Sequence, residues 1–344
     1  MPTSIYFGGE ARLPAFVKAL LDPSAYPQPT THVELRQTHI SYVFLTGQYA
    51  YKVKKAVNFG FLDYSTLAKR QHFCHEEVRL NSRLCREIYL GVVEVREGDG
   101  RVWIGSGGRL VDYAVKMVQL PEDRIMDRLL AANKVSLAMV ERVANKLAEF
   151  YRHARTGPDV EQYGEPRWIA TNTDENFAQT APYVGRTIDA DQFRSIRNYT
   201  DEFLRKHYAL FQQRIAQGFV RDGHGDLRAE NVCFVDGLCI FDCVEFNERL
   251  RCGDVVSDIA FLAMDLDRVG RLDLSSSFFE AHIAASGDAR AREVLDFYKI
   301  YRAYVRGKVE SFKLDEPEIP EVEKRRSQEA ARSYFELATR YARR

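Results

Sequence analysis

The spacing of apolar residues changes once along the chain, near Pro121. Before it the apolar runs are short and partly alternating, the period of half-buried strands. They predict strands over His32–Arg36, Tyr42–Leu45 and Tyr49–Lys54, with Gly47 in the second turn. A hairpin follows, Val92–Val95 and Val102–Ile104 joined through Glu97-Gly98-Asp99-Gly100, then a strand Leu110–Leu120 that ends at Pro121. Two helical patterns interrupt the strands. One is short, around Ala15–Leu21, and stops at Asp22-Pro23, where a proline-spotted linker runs to Pro29; the other is capped by Ser65 or Thr66 and reaches about Cys85.

Beyond Pro121 the period becomes helical. Ser136 caps a stripe of Leu137, Val140, Val143, Leu147 and Phe150 that stops near Gly157. Further helices are expected over about Thr200 to Ala216, ended by Gly218, and over Val255–Met264, Arg292–Phe312 and Val322–Arg343. The pattern divides the chain into residues 1–120 and 121–344.

One polar stretch breaks the helical half: His224-Gly225-Asp226-Leu227-Arg228-Ala229-Glu230-Asn231, followed by Val232 to Asp242. Asp236-Gly237 between two apolar runs is a hairpin signal, because both residues tolerate the positive φ of a type I′ turn. A turn centred there sets Asn231 opposite Asp242. An amide oxygen beside a carboxylate makes a hard-oxygen pair suited to Mg²⁺. Asp226, on the loop entering the hairpin, is placed to meet a substrate hydroxyl.

Composition narrows the class without changing that picture. Hydrophobic residues are 45% and charged residues 28% of 344, an ordinary globular mix. Forty-nine Lys and Arg balance 49 Asp and Glu, so nothing argues for nucleic acid or an anionic membrane as partner. No apolar run approaches membrane-spanning length, and the first residues lack a basic-then-apolar signal; a cytoplasmic protein is expected. The six cysteines are too sparse for a disulfide scaffold and lack zinc-site spacing, so most are expected as buried free thiols. No Gly-x-x-x-x-Gly-Lys-Ser/Thr occurs, so nothing supports a P-loop kinase. Gly105-Ser106-Gly107-Gly108 reads as a turn, since a strand resumes directly after it.

The order His-x-Asp-x-x-x-x-Asn, short hairpin, second Asp resembles the catalytic segment of the protein-kinase-like fold. The His224-Gly225-Asp226 start and the continuation Phe241-Asp242-Cys243, with Asp254 and Asp258-Ile259-Ala260 downstream, resemble its aminoglycoside-phosphotransferase branch. The resemblance implies an α+β, two-lobed fold: an antiparallel-sheet N-terminal lobe with one main helix, and a mainly helical C-terminal lobe. It implies an ATP- and Mg²⁺-dependent phosphotransferase with a small-molecule hydroxyl acceptor. Asp226 would then meet the acceptor hydroxyl, Arg228 the migrating phosphoryl, and Asn231 and Asp242 the metal. Lys52 in Tyr49-Ala50-Tyr51-Lys52 is similar to the phosphate-binding strand lysine, with Lys54 on the same face as its rival. Glu77, with Glu76 beside it, would hold that lysine.

The loop Gln37 to Ser41 stands where a glycine-rich phosphate loop is found in kinases, yet it contains no glycine; Thr38 and Ser41 offer hydroxyls instead. Backbone around Met117–Gln119 would bond adenine. By the same resemblance Asp258 braces the catalytic loop, His224 is structural, and Glu245 either joins the metal or faces solvent. Arg302 and Arg306, one turn apart, suit an anionic or polyol acceptor if their face lines the site. Two other readings stay open. A protein kinase would need an Ala-Pro-Glu element that the chain lacks; a non-catalytic nucleotide-binding module would not need Asp226.

Overall fold

The structure is a computed structural model that describes residues 13–317 and 319–343. Its contacts divide the chain into two compact units, Met1–Ala132 with Glu230–Glu248, and Asn133–Ala229 with Arg249–Arg344. The sequence pattern set one boundary after residue 120. Residues 121–132 instead stay with the first unit, and the 230–248 hairpin returns to it.

The first unit contains α1 (Ala15–Ala19), β1 (Glu34–Gln37), β2 (Ser41–Leu45), β3 (Tyr49–Lys54), α2 (Leu67–Asn81), β4 (Tyr89–Gly98), β5 (Arg101–Ile104), β6 (Arg109–Val118) and α3 (Met126–Ala131). All six strands form one antiparallel sheet in the order β1-β2-β3-β6-β4-β5. Strand alternation sorts its side chains between two cores. Phe44, Tyr51, Val53, Val95 and Ala114 pack with Val17 of α1 and with Leu20, the residue that caps its C-terminus. Val43, Ala50, Val115 and Met117 pack on the other face with Cys74 of α2. Thr66 caps α2 by accepting the Lys69 N–H at 3.2 Å.

The second unit opens with α4 (Leu137–His153), capped by Ser136, then α5 (Pro158–Glu161), α6 (Pro166–Thr180), α7 (Ala190–Lys206), α8 (Tyr208–Ala216) and β7 (Val220–Asp222). The returning hairpin, β8 (Val232–Cys233) and β9 (Cys239–Ile240), belongs to the first unit. After α9 (Glu248–Arg251), the second unit resumes with β10 (Cys252–Asp254), α10 (Val255–Arg268), α11 (Leu272–Ser286), α12 (Ala291–Phe312) and α13 (Glu321–Ala342). β10 pairs antiparallel with β7. Phe177, Ile196, Phe261, Ile300, Tyr304 and Phe335 meet in one core of α6, α7, α10, α12 and α13. Buried Arg214 of α8 binds Asp254 at 2.9 Å and Asp288 at 2.7 Å, while Asp254 also caps α10 through the Val256 N–H. Among the described residues no helix is long and apolar enough to cross a membrane.

Candidate active site

Ala50 lies in the core shared with α2, and its strand neighbours Lys52 and Lys54 also reach that helix. Glu77 of α2 receives both. Its carboxylate lies 2.9 Å from Lys52 Nζ and 2.6 Å from Lys54 Nζ, while Glu76 is on the outer side, paired with Arg79. Lys52 also reaches Asp242 at 2.7 Å. Lys54 instead pairs with Glu245 and lies over the Tyr64 ring, whose hydroxyl donates to Glu245. The side chain of Lys54 is fully buried, whereas Lys52 is 13% and Asp242 24% exposed. Only the Lys52–Asp242 end of the network is open. Glu245 therefore serves Lys54 rather than solvent.

Burial by itself would lower the pKa of Lys52, but the Asp242 and Glu77 carboxylates override it and hold the ammonium charged well above the ordinary lysine range. Glu77 shows the converse: burial raises its pKa, and Lys52 and Lys54 together bring it below the usual value. Asp242 sits at φ 63°, in the left-handed region that a non-glycine residue seldom occupies. Its N–H donates to the Tyr89 hydroxyl at 3.3 Å, and the next N–H, of Cys243, donates to Asn81 of α2 at 2.8 Å. The segment after the hairpin is thus tied to the helix that carries Glu77.

The hairpin differs by one residue from the expected register. The Leu238 N–H donates to Val235 O at 3.0 Å, so Asp236-Gly237 is the turn centre. The positive φ values, however, fall at Gly237 (90°) and Leu238 (55°), which rules out a type I′ turn on Asp236-Gly237. A left-handed Leu238 adds a residue to the second arm, as a bulge does. Val232 then pairs with Ile240 and Cys233 with Cys239, and Asn231 O accepts from Phe241 rather than standing opposite Asp242. Asn231 is fully buried, and its carbonyl accepts across the hairpin from Phe241, the residue before Asp242. Cys239 is disulfide-bonded to Cys85, just beyond α2, with the Cα atoms 4.8 Å apart. Those two depart from the free-thiol expectation; Cys74, Cys233, Cys243 and Cys252 are buried and outside any disulfide.

The other nucleotide-side candidates are less open. Ser41 is fully buried, and its backbone N–H donates to the Thr38 hydroxyl oxygen at 3.0 Å. The Gln119 N–H donates to Gln48 O at 3.0 Å, which engages that donor within the protein. Its side chain accepts the Gly47 N–H, and Met117 is buried opposite Ala50 and Tyr89.

The Asp226 loop is built inside the second unit around Asp258. That carboxylate accepts the N–H groups of His224 and Gly225 at 2.7 and 2.9 Å and the Tyr151 hydroxyl at 2.8 Å. Its approach requires glycine just before His224: a Cβ on Gly223 would lie 2.5 Å from Asp258 Oδ2 and 3.1 Å from Arg251 O. Sequence reasoning passed over Gly223, though a glycine preceding His-Gly-Asp was the available signal. Fully buried His224 turns Nδ1 toward the Asp226 N–H at 3.3 Å. Arg302, which would suit an anionic or polyol acceptor if its face lined the site, is a brace: it donates to Gly225 O at 2.9 Å, to Ser257 and to Asp258. Arg228 grips both carboxylate oxygens of Asp226, at 3.0 and 3.2 Å, so it orients that carboxylate.

A divalent cation suits the donors of the first unit. Two lysines face three carboxylates, Glu77, Asp242 and Glu245, leaving one negative charge in excess, and Asp242 is the exposed member. Among the described residues no group of three or more His, Cys, Asp or Glu side chains forms a cation cage. Mg²⁺ is commonly held by one or two protein oxygens together with substrate phosphates, which Asp242 and Asn231 can supply.

No family model matches the chain. An uncharacterized protein of Mycobacterium tuberculosis (strain ATCC 25618 / H37Rv) is 35% identical over 279 residues, 81% of this chain and 54% of the relative; one of Mycobacterium bovis matches equally. The chain thus spans about half the length of the curated relatives it matches. Among solved structures, a choline/ethanolamine kinase family protein from Mesorhizobium loti superposes with a TM-score of 0.52 at 12% identity, covering 96% of this chain and 98% of that one. An aminoglycoside phosphotransferase so named from Ralstonia eutropha gives 0.49 at 12% identity, over 96% and 99%. The first of these likenesses, with the sheet and helices described above, shows an α+β protein-kinase-like fold.

Proposed function

We propose that the chain is an ATP-dependent O-phosphotransferase acting on a small hydroxylated molecule. The observation that carries the reading is the Lys52–Glu77–Asp242 network, in which a strand lysine is held charged by a helix carboxylate and by the exposed Asp242. Phosphoryl transfer depends on positioning and charge neutralisation more than on covalent catalysis. Lys52 would exchange its contact with Asp242 for nucleotide phosphate oxygens while Glu77 keeps it in place. Asp242 and Asn231 would hold Mg²⁺, which when bound neutralises phosphate charge. Asp226, oriented by Arg228, would accept the proton of the acceptor hydroxyl. The acceptor oxygen then forms its bond to the γ-phosphorus as the bond from that phosphorus to the β–γ bridging oxygen breaks, and ADP leaves. The brace of Asp258 and Arg302 keeps the backbone at Gly225, and so Asp226, in one conformation.

ATP consumption across a panel of hydroxylated metabolites, run beside Asp226→Asn, tests the reading. The substitution keeps the shape of the side chain and removes its proton-accepting charge, so turnover should fall about 10²–10⁴-fold with ATP affinity nearly constant. Equal turnover in wild type and Asp226→Asn would overturn the mechanism. ATP binding without consumption of any acceptor would favour a nucleotide-binding module.

A further inference from the structure

Lys308 of α12 is set against amides where other lysines of the chain are set against acids. Its Nζ donates to Asn176 Oδ1 at 2.6 Å and to Gln179 Oε1 at 2.7 Å, both on α6. Among the described residues no carboxylate stands within ion-pair distance of it. Lys52, Lys54 and Lys299, by contrast, meet Asp242, Glu77 and Asp267 at 2.7, 2.6 and 2.7 Å. Glu175 favours the charged form of Lys308 from outside that distance, and Arg249 opposes it. The Glu175 carboxylate is itself held by both terminal nitrogens of Arg249, at 2.9 and 2.7 Å. The Phe312 ring, 5.6 Å from Nζ, is near the limit at which an aromatic face favours a cation.

The hydrogen-bond count suits the neutral amine. An ammonium brings three N–H donors to these two acceptors; an amine brings two and keeps a lone pair on the side away from them. Asn176 is buried and its side chain also bonds to Tyr301, whereas Gln179 is exposed and Lys308 is partly so. The amine is therefore held in place from below and reachable from solvent. Burial pushes its pKa down to about 8, against Glu175 and helped by Arg249. At pH 7 about a tenth of the side chains are then neutral, against about one in two thousand for an ordinary lysine. A desolvated lysine with an available lone pair is a nucleophile.

We infer that Lys308 is an acylation site, whose amine takes the acyl group of a small acyl phosphate. The Nζ lone pair attacks the carbonyl carbon, and the new C–N bond forms as the C–O bond to phosphate breaks. Inorganic phosphate leaves with that electron pair, and one amine proton passes to water. Partial burial of the amine admits a small donor more readily than a bulky one. None of the residues assigned to phosphoryl transfer takes part, so the inference stands apart from the phosphotransferase reading.

The test is acetylation of the full chain by acetyl phosphate, with the rate at each lysine read by peptide mass spectrometry. Lys206, 56% exposed on α7, serves as the internal reference. At pH 7 Lys308 should react about tenfold or more faster than Lys206, after allowance for partial burial and for the weaker nucleophilicity of a less basic amine. Its rate should level off above about pH 8, where an ordinary lysine still gains about tenfold per pH unit. Two variants place a carboxylate against Nζ and hold it charged. Gln179→Glu, at the exposed rim, should slow Lys308 about threefold at pH 7, and Asn176→Asp, in the buried position, about tenfold or more. Lys206 should be unaffected in both. Melting temperatures show whether each variant folds, and the exposed Gln179→Glu decides the matter if Asn176→Asp does not. Parity of Lys308 with Lys206 in the wild type, or an unchanged Lys308 rate in folded Gln179→Glu, would overturn the inference.

Discussion

Two lysines meet one glutamate, and exchanging each for methionine assigns their jobs. Lys54 is fully buried, and its loss leaves Glu245, 5% exposed, with the Tyr64 hydroxyl as donor while Glu77 keeps Lys52. Breaking a buried ion pair costs about 3–5 kcal/mol, and the remaining donors set Lys54→Met at the lower end, about 3 kcal/mol. Lys52→Met differs because Asp242 is 24% exposed and can be hydrated, while Glu77 keeps Lys54. Its stability cost should be about 1 kcal/mol or less, as for partly exposed pairs. Nucleotide affinity should move the opposite way. Losing charged hydrogen bonds to phosphate, about 1.5–3 kcal/mol, weakens ATP roughly 10- to 150-fold in Lys52→Met. Lys54→Met should remain within about tenfold of wild type, because the fully buried Lys54 ammonium is engaged by Glu77 and Glu245. The chain's two tryptophans lie in different units, Trp103 on β5 and Trp168 on α6. In a Trp168→Phe background, urea unfolding followed by fluorescence therefore reports on the first unit, and calorimetry supplies ATP affinity. A Lys54→Met protein of wild-type stability that has lost ATP would assign the phosphate role to Lys54 and refute the reasoning.

Other consequences follow from the packing. Fully buried His282 stands edge-on to Tyr151, and burial pushes its pKa down to about 4. Between pH 6.5 and 4 the unfolded chain takes up a proton the folded one refuses, so stability is full above that window and falls as pH drops, by about 3 kcal/mol at its foot. His282→Leu should flatten the urea midpoint against pH there; a profile parallel to wild type would contradict the assignment. Reducing Cys85–Cys239, 154 residues apart in sequence, should lower the Trp103 unfolding midpoint, with about 5 kcal/mol as the chain-entropy ceiling. A non-reducing digest without that cross-link would refute it. Asp258→Asn keeps the shape but not the charge that gathers His224, Gly225, Tyr151 and Arg302, so a loss of about 2–4 kcal/mol is expected on the Trp168 signal. Wild-type stability in that variant would show that the brace is not needed.

What the sequence revealed was local in origin. The strand Tyr49–Lys54, the caps Thr66 and Ser136, and the Asp236-Gly237 turn are each decided by neighbouring residues, and each lies where the pattern put it. Its misses came from long-range contacts. Periodicity cannot show that Arg302 would turn inward to Gly225 O, or that Cys85 would meet Cys239. Nor does it carry the insertion of β6 between β3 and β4. The helix expected over Thr200 to Ala216 is two, α7 and α8, divided at His207. α6 and α11 were not anticipated at all; in neither do the apolar residues gather on one face as they do in α4. The hairpin register turned on Leu238 alone, whose left-handed φ no apolar pattern predicts. Lys52 and Lys54 share a strand face, so alternation could not choose between them; the exposure of Asp242 beside Lys52 favours Lys52.

The most direct test of the phosphotransferase account is thermal denaturation of wild type and Asp242→Ala with ATP, with Mg²⁺, and with both. A ligand that binds only the folded chain raises its melting temperature according to concentration over Kd. The account predicts a rise for wild type that needs ATP and Mg²⁺ together, and loss of that metal-dependent part in Asp242→Ala. The same metal-dependent rise in Asp242→Ala, or no rise in wild type, would contradict it.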